Sequence, residues 1–303
     1  MQYPILNTLK NAYEQGRFPQ MLLLDGQAGI GKKFVAMELA KMLCENSNEP
    51  VIWLIPIDGT AEERDSTIKI DAKTAELSQK FMQNPYHTGH ITESALISVG
   101  MVEYLLKNFE LKAGGNRVVI ITNVDSMNEN AANKLLKTFE DVPPNTYFIL
   151  TANSRHSLLP TIRSRSTSFS IPFLKNSEIS EILKSYGYGV PTEDVLKFAA
   201  GSAGKAMLAI DTNYSALREK ITVYAELALK GDASAAILCA QEIMEKDKEK
   251  NINTVAFFLE GLALQCPAYI HSINFLLQAM LAKKFSAEHA LQNMALRLAQ
   301  KAI

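Results

Sequence analysis

Apolar positions follow two regimes along the chain, and the change between them lies near Pro172. Before it, short continuous apolar runs alternate with segments whose apolar residues recur every three or four positions. Gln20–Asp25, Pro50–Ile57, Arg117–Thr122 and Tyr147–Thr151 are the continuous runs, and Ser166–Ile171 alternates. Runs rich in Val, Ile and Leu suit strands buried on both faces. Between them, Lys33–Leu43 places Phe34, Met37, Leu39, Ala40 and Leu43 at helical spacing, and Val99–Leu111 does the same with Val102, Leu105, Leu106 and Phe109. Gly114-Gly115 closes the latter. Asn128–Asp141 predicts a further helix, with Asn128 as N-cap and Val142-Pro-Pro-Asn145 as its stop. Strands alternating with helices predict an α/β domain with a parallel sheet covered on both faces.

Asp58–Ser98 is polar and mixed, and reads as an insertion with one or two helices. After Pro172 the strand pattern disappears. Ser177–Tyr186, Thr192–Ala200 and Gly204–Ile210 predict three short helices, the first two capped by Ser177 and Thr192. Residues 215–303 predict about five more, rich in Ala and Leu, which together suit a helical bundle. The expected division is residues 1–172 as an α/β core with an insertion near 58–98, 173–212 as a small three-helix domain, and 213–303 as an all-α domain.

Composition narrows the function classes. Lys and Arg number 31 against 32 Asp and Glu, a net charge of −1, so bulk attraction to nucleic acid is not expected. The three cysteines, Cys44, Cys239 and Cys266, are far apart, which argues against a zinc site or a disulfide framework and fits a reducing cytosol. Met1–Gly16 has no apolar core of a signal peptide, and no apolar run approaches the roughly 20 residues that span a bilayer. The expectation is a cytoplasmic protein with no membrane partner.

The first candidate chemistry is Gly26-Gln-Ala-Gly-Ile-Gly-Lys-Lys33. It follows the phosphate-binding spacing G-x-x-x-x-G-K-[ST] through Lys32 and then places Lys33 where the magnesium-binding hydroxyl belongs. Gly26, Gly29 and Gly31 would let backbone N–H groups converge on phosphate oxygens at a helix N-terminus, and Lys32 would add a point charge. Lys33 either supplies positive charge in place of a metal, allowing ATP or ADP to bind without turnover, or blocks the pocket. The second candidate is the end of the Val118–Ile121 run, where such sites carry metal-binding and water-activating acids. Here Thr122 and Asn123 follow, neither acidic; Asp125 reads as a cap of the next segment rather than as a displaced ligand. Two losses at one metal compromise both electrophilic activation and general-base assistance, and no metal site is expected. The third is Pro160-Thr-Ile-Arg-Ser-Arg-Ser166, which spacing alone reads as a solvated basic turn, with Arg163 or Arg165 projecting outward as the alternative. His87 and His90 read as an exposed loop, and Glu245–Lys250 as a solvated helix end.

The stretch Asn130-Ala-Ala-Asn-Lys-Leu-Leu-Lys-Thr-Phe-Glu-Asp-Val-Pro-Pro144 and the later Leu159-Pro-Thr-Ile-Arg-Ser-Arg165 closely resemble the bacterial DNA polymerase III clamp loader subunits of the AAA+ superfamily. Gly201-Ser-Ala-Gly-Lys-Ala206 is similar to the start of the last helix of that family's lid domain. The resemblance covers roughly residues 1–210 in motifs and implies an AAA+ P-loop core, a three-helix lid and a C-terminal helical collar. It implies that Arg165 acts in trans on the ATP of a neighbouring subunit, a role that Ser166 in place of the family's cysteine leaves intact. Without an acid at positions 122–123 or a hydroxyl at 33, it implies a stator rather than a motor, with no ATPase activity of its own inside a polymerase III holoenzyme. The implied partners are motor subunits of the tau/gamma type, a delta subunit, the sliding clamp and, indirectly or through phosphates, primed DNA. Two departures stand out: the family's four-cysteine zinc module is absent, and the 58–98 stretch is longer than its pattern. The alternatives are an active ATPase of the same superfamily, with Asp125 or an insertion acid holding magnesium, and a nucleotide-gated interaction protein outside replication.

Overall fold

The computed structural model describes residues 4–45, 47, 50–86, 88, 95–107, 109, 114–244, 248–281 and 284–300. The chain divides into two compact units, residues 1–189 with 201–205, and residues 190–200 with 206–303.

The first unit opens with a helix that the sequence pattern did not announce, α1 (Pro4–Glu14), before β1 (Met21–Asp25) and α2 (Lys32–Leu43). β2 (Ile52–Leu54) is shorter than the apolar run around it. The insertion holds α3 (Ala61–Asp65) and α4 (Thr67–Gln83), and α5 (Val99–Lys107) follows. Then come β3 (Arg117–Ile121), α6 (Glu129–Glu140), β4 (Thr146–Ala152), α7 (Pro160–Arg165), β5 (Thr167–Ser170) and α8 (Asn176–Ser185).

The five strands form one sheet in the order β2-β3-β4-β1-β5, all neighbours parallel. β1 pairs Leu23 with Leu150 of β4, and β3 pairs Val119 with Phe148. The inner strands β1 and β3 are buried at every residue, which is why they read as unbroken apolar runs. β5 is an edge strand, exposed at Thr167 and Ser170 and half-buried at Ser168 and Phe169, so the alternation expected of it is not seen in its burial. Beyond the strands, Ile57 bridges to Leu96 and Ile97 to Met127, so the insertion leaves and rejoins the chain beside the sheet. On one face Phe148 is the centre of an aromatic cluster with Phe139, at 5.1 Å between centroids, and Phe109, at 5.8 Å.

Asn128 caps α6 as expected, accepting the Ala131 N–H at 2.8 Å. Ser177 does not cap α8. That helix begins one residue earlier, and the Glu178 carboxylate reaches back to accept the Lys175 N–H at 2.7 Å. A carboxylate in the first turn also complements the helix dipole, so it displaces the hydroxyl as the local signal.

In the second unit, α9 (Glu193–Ala199) is capped by Thr192, and α10 (Ala203–Asp211) continues from the first unit's last residues. The rest, as the spacing predicts, is helical: α11 (Tyr214–Leu229), α12 (Ala233–Gln241), α13 (Lys248–Gln265), α14 (Ile270–Leu281) and α15 (Ala287–Gln300). Tyr224 of α11 is fully buried, lies edge-on to Phe258 at 5.0 Å, and donates its hydroxyl to Leu291 O at 2.6 Å. Among the described residues, no helix is long and apolar enough to cross a membrane.

Phe148→Ala should remove the sheet's central ring and cost about 3–5 kcal/mol, seen as a loss of the first unit's transition at lower denaturant. A cost below about 1 kcal/mol would contradict this account of the core.

Candidate functional site

β1 ends at Asp25, and the glycine loop carries the chain directly into α2. Gly31 is the N-cap of α2 at φ 106°, a left-handed value that a side chain resists. This turn brings Gly26, Gly29, Gly31, Lys32 and Lys33 together at the N-terminus of α2.

Lys32 is buried, and its ammonium is bound by the chain itself. Nζ donates to Gly26 O, to Gln27 O at 2.8 Å and to Asn153 Oδ1 at 3.2 Å. Burial lowers its pKa to about 8, opposed by the charges of Asp125 and Asp25. Asp25 in turn accepts the Ser170 hydroxyl at 3.0 and 3.1 Å.

Asp125 does not cap the following helix, a role that Asn128 fills. It sits in a 3₁₀ turn, Val124–Ser126, and its Oδ2 accepts the Asn153 N–H at 2.9 Å. The carboxylate therefore ties β3's exit to β4's end, where a backbone donor needs a partner. Its Oδ1 is buried with no hydrogen-bond partner, as is the Thr122 hydroxyl. Thr122 and Asn123 stand at the end of β3, and the Asn123 N–H donates to Thr151 Oγ1 at 3.1 Å. Asn153 was not singled out in the sequence, because one Asn in a Thr-Ala-Asn-Ser stretch carries no pattern. It is the residue that joins Lys32 to Asp125.

Lys33 lies on the insertion. Its Nζ stands 3.9 Å over the ring of Phe81 in α4, a residue fully buried against Ile55, Leu77 and Trp53. Burial, then the neighbouring Lys32 charge, lowers the Lys33 pKa to about 7. Phe34, the next residue, stacks on Tyr86 at 5.7 Å and 24°. His87 and His90 fall outside the described residues.

A second segment closes on the loop. The Gly204 N–H donates to Gly29 O at 3.0 Å, and the Ser202 hydroxyl to Ala28 O at 2.8 Å. A Cβ at Gly204 would lie 2.2 Å from Tyr86 O and 2.7 Å from Gly29 Cα, so only glycine permits this approach. The Gly-Ser-Ala-Gly-Lys stretch was legible as a motif, but its destination on the loop was not.

Arg165 is the last residue of α7. The segment is a helix, not the turn that spacing suggested, because Pro160 starts it and buried Ile162 anchors it. Arg165 donates from Nη1 to Thr161 O at 3.0 Å and from Nη2 to Glu140 Oε1 at 2.6 Å. Arg163 is exposed.

Residues 1–175 match the family model described as DNA polymerase III, delta subunit. The chain belongs to that family. A DNA polymerase III subunit delta' of Haemophilus influenzae is 28% identical over 213 residues, 69% of this chain and 59% of the relative. A subunit delta' of Pseudomonas aeruginosa is 27% identical over 203 residues, 65% of this chain and 57% of the relative. The chain thus spans less than two thirds of the length of these two relatives. A DNA polymerase III subunit gamma of Buchnera aphidicola is 23% identical over 290 residues, 90% of this chain and 75% of the relative. Among solved structures, a DNA polymerase III gamma subunit-related protein of Thermotoga maritima superposes with a TM-score of 0.56 at 16% identity, covering 98% of this chain and 99% of that one. The expected α/β architecture, a parallel sheet with a helical C-terminal region, is borne out.

For this delta-family chain, the lysine pair has a measurable consequence. The ordinary lysine value is 10.5, so between about 7 and 10.5 the unfolded chain holds a proton that folded Lys33 has lost. Stability therefore rises with pH across that window. Lys33→Met should stabilise the chain at pH 7 and below, with the gain fading towards pH 10.5, and should remove up to about 1.4 kcal/mol per pH unit of slope. Denaturant unfolding at several pH values checks this; parallel profiles for the two proteins would contradict it.

Proposed function

We propose that this chain is the delta-prime, or stator, subunit of the bacterial replicative clamp loader. In this reading it helps load the sliding clamp onto primed DNA and lends Arg165 in trans to the ATP site of a neighbouring motor subunit. Residues 173–212 form the lid and 213–303 the collar through which the subunits assemble. Its partners are tau/gamma-type motor subunits, a delta subunit and the clamp. Contact with DNA is indirect or through phosphates, because loading must succeed on any sequence.

The observation that carries the reading is the state of the loop. Its lysine is bonded to Gly26 O, Gln27 O and Asn153, while position 33 rests on Phe81. No acid stands at 122 or 123. Such a loop serves as a joint between β1, the insertion and the 201–205 segment, with no metal-assisted step of its own. The guanidinium of Arg165 is bonded to Thr161 O and Glu140 and is partly exposed, a group suited to a phosphate presented by another chain.

A second reading, a gamma-like active ATPase, draws support from one observation. Asp125 acts electrostatically on Lys32 and has a buried oxygen without a partner, a group that a magnesium ion would satisfy.

The two separate in a reconstituted assembly of motor subunits, delta subunit, clamp and primed DNA. With Arg165→Ala, single-turnover hydrolysis should lose the contribution of one motor site, since a trans arginine is worth about 10³-fold or more at the site it serves. An undiminished amplitude would contradict the trans role, and hydrolysis by the chain alone that Lys32→Ala abolishes would establish the second reading.

A further inference from the structure

We propose that Glu140 is the positioning residue for Arg165. The inference rests on the trans-arginine reading above and adds the group that aims the arginine.

Arg165 has several rotatable bonds, and an unrestrained guanidinium at a protein surface samples many directions. Here two of its nitrogens are held from two elements. Thr161 O, one turn back in α7, takes Nη1, and Glu140, the last residue of α6, takes Nη2. Both elements are fixed from below. Phe139, beside Glu140, is buried against Phe148, and Ile162 of α7 is buried in the same core. After Asp141, the C-cap of α6, comes the Val142-Pro-Pro144 segment, and prolines restrict the backbone that leaves the helix. The carboxylate is thus a fixed point against which the guanidinium is set.

Exposure decides what this pair is for. The Arg165 side chain is 32% exposed and that of Glu140 55%. An ion pair this open adds little to folding, because water screens it and two side chains lose freedom to form it. It also leaves the arginine able to exchange partners. A phosphate dianion offers more charge and a bidentate face, so a presented phosphate can share or take the guanidinium from a single carboxylate. Orientation before the encounter is the contribution that remains, and orientation acts on turnover at the served site rather than on nucleotide affinity.

The experiment uses the full chain in the reconstituted clamp loader, with Arg165→Ala, Glu140→Ala, Glu140→Gln and the double variant Glu140→Ala/Arg165→Ala. Glu140→Ala should lower kcat at the served site by roughly threefold to tenfold with KM unchanged. Glu140→Gln, which keeps an acceptor but not the charge, should fall between wild type and Glu140→Ala. On the Arg165→Ala background, Glu140→Ala should have no further effect, as a pair acting through one group requires. Wild-type or raised turnover in Glu140→Ala, with Arg165→Ala impaired, would overturn the positioning role and leave the arginine's role standing. An equal loss from Glu140→Ala on both backgrounds would overturn it too, showing a structural effect. No loss in Arg165→Ala would remove the trans-arginine reading itself, and this inference with it.

Discussion

The backbone of the glycine loop is in hydrogen-bonded contact with another stretch of the same chain. Gly204 donates to Gly29 O, Ser202 donates to Ala28 O, and neither glycine leaves room for a side chain between the strands of peptide. The loop's conformation is therefore set by interactions within its own unit as well as by its glycines. Lys32 completes the arrangement by folding back on Gly26 O and Gln27 O. Any anion arriving at this loop competes for the ammonium with carbonyls already in place, and each bond exchanged offsets part of what the anion would contribute.

Charge at the site follows from the same packing. Two adjacent lysines are drawn out of water, and both are shifted towards the neutral form. The carboxylates of Asp25 and Asp125 oppose the shift at Lys32; at Lys33 the neighbouring Lys32 charge adds to it. Phe81 gives the Lys33 amine an aromatic face in place of a phosphate or metal-bridging role. The insertion thus has a physical task that its polar composition concealed: α4 supplies the surface on which position 33 rests. The proposed stator follows from these particulars together, a loop engaged with its own chain and an arginine displayed elsewhere.

Much of the fold was legible because buried parallel strands write themselves as apolar runs. β1, β3 and β4 could be read within a residue or two, and so could α2 and α6 with its Asn128 cap. α1 lies within Met1–Gly16, where polar residues are interspersed throughout, and β2 is shorter than its apolar run because only Ile52–Leu54 pairs with β3. The glycines and lysines of the loop could be named from spacing. What could not be read were the contacts between distant residues, Lys33 with Phe81, Lys32 with Asn153, Gly29 with Gly204 and Arg165 with Glu140. Each is a meeting of side chains or backbone that topology creates and no local pattern encodes. Asp125 shows the limit in the other direction. An acid before a helix suggests a cap, yet the sheet's parallel register delivered the Asn153 N–H to it first.

The most direct test of the self-engaged loop is calorimetric titration of the chain with ATP and with ADP, each with and without magnesium. The account predicts no saturable binding tighter than about 1 mM in any of the four conditions. Saturable binding at micromolar nucleotide that Lys32→Ala abolishes would contradict it, because the ammonium would then have left its carbonyls for a phosphate.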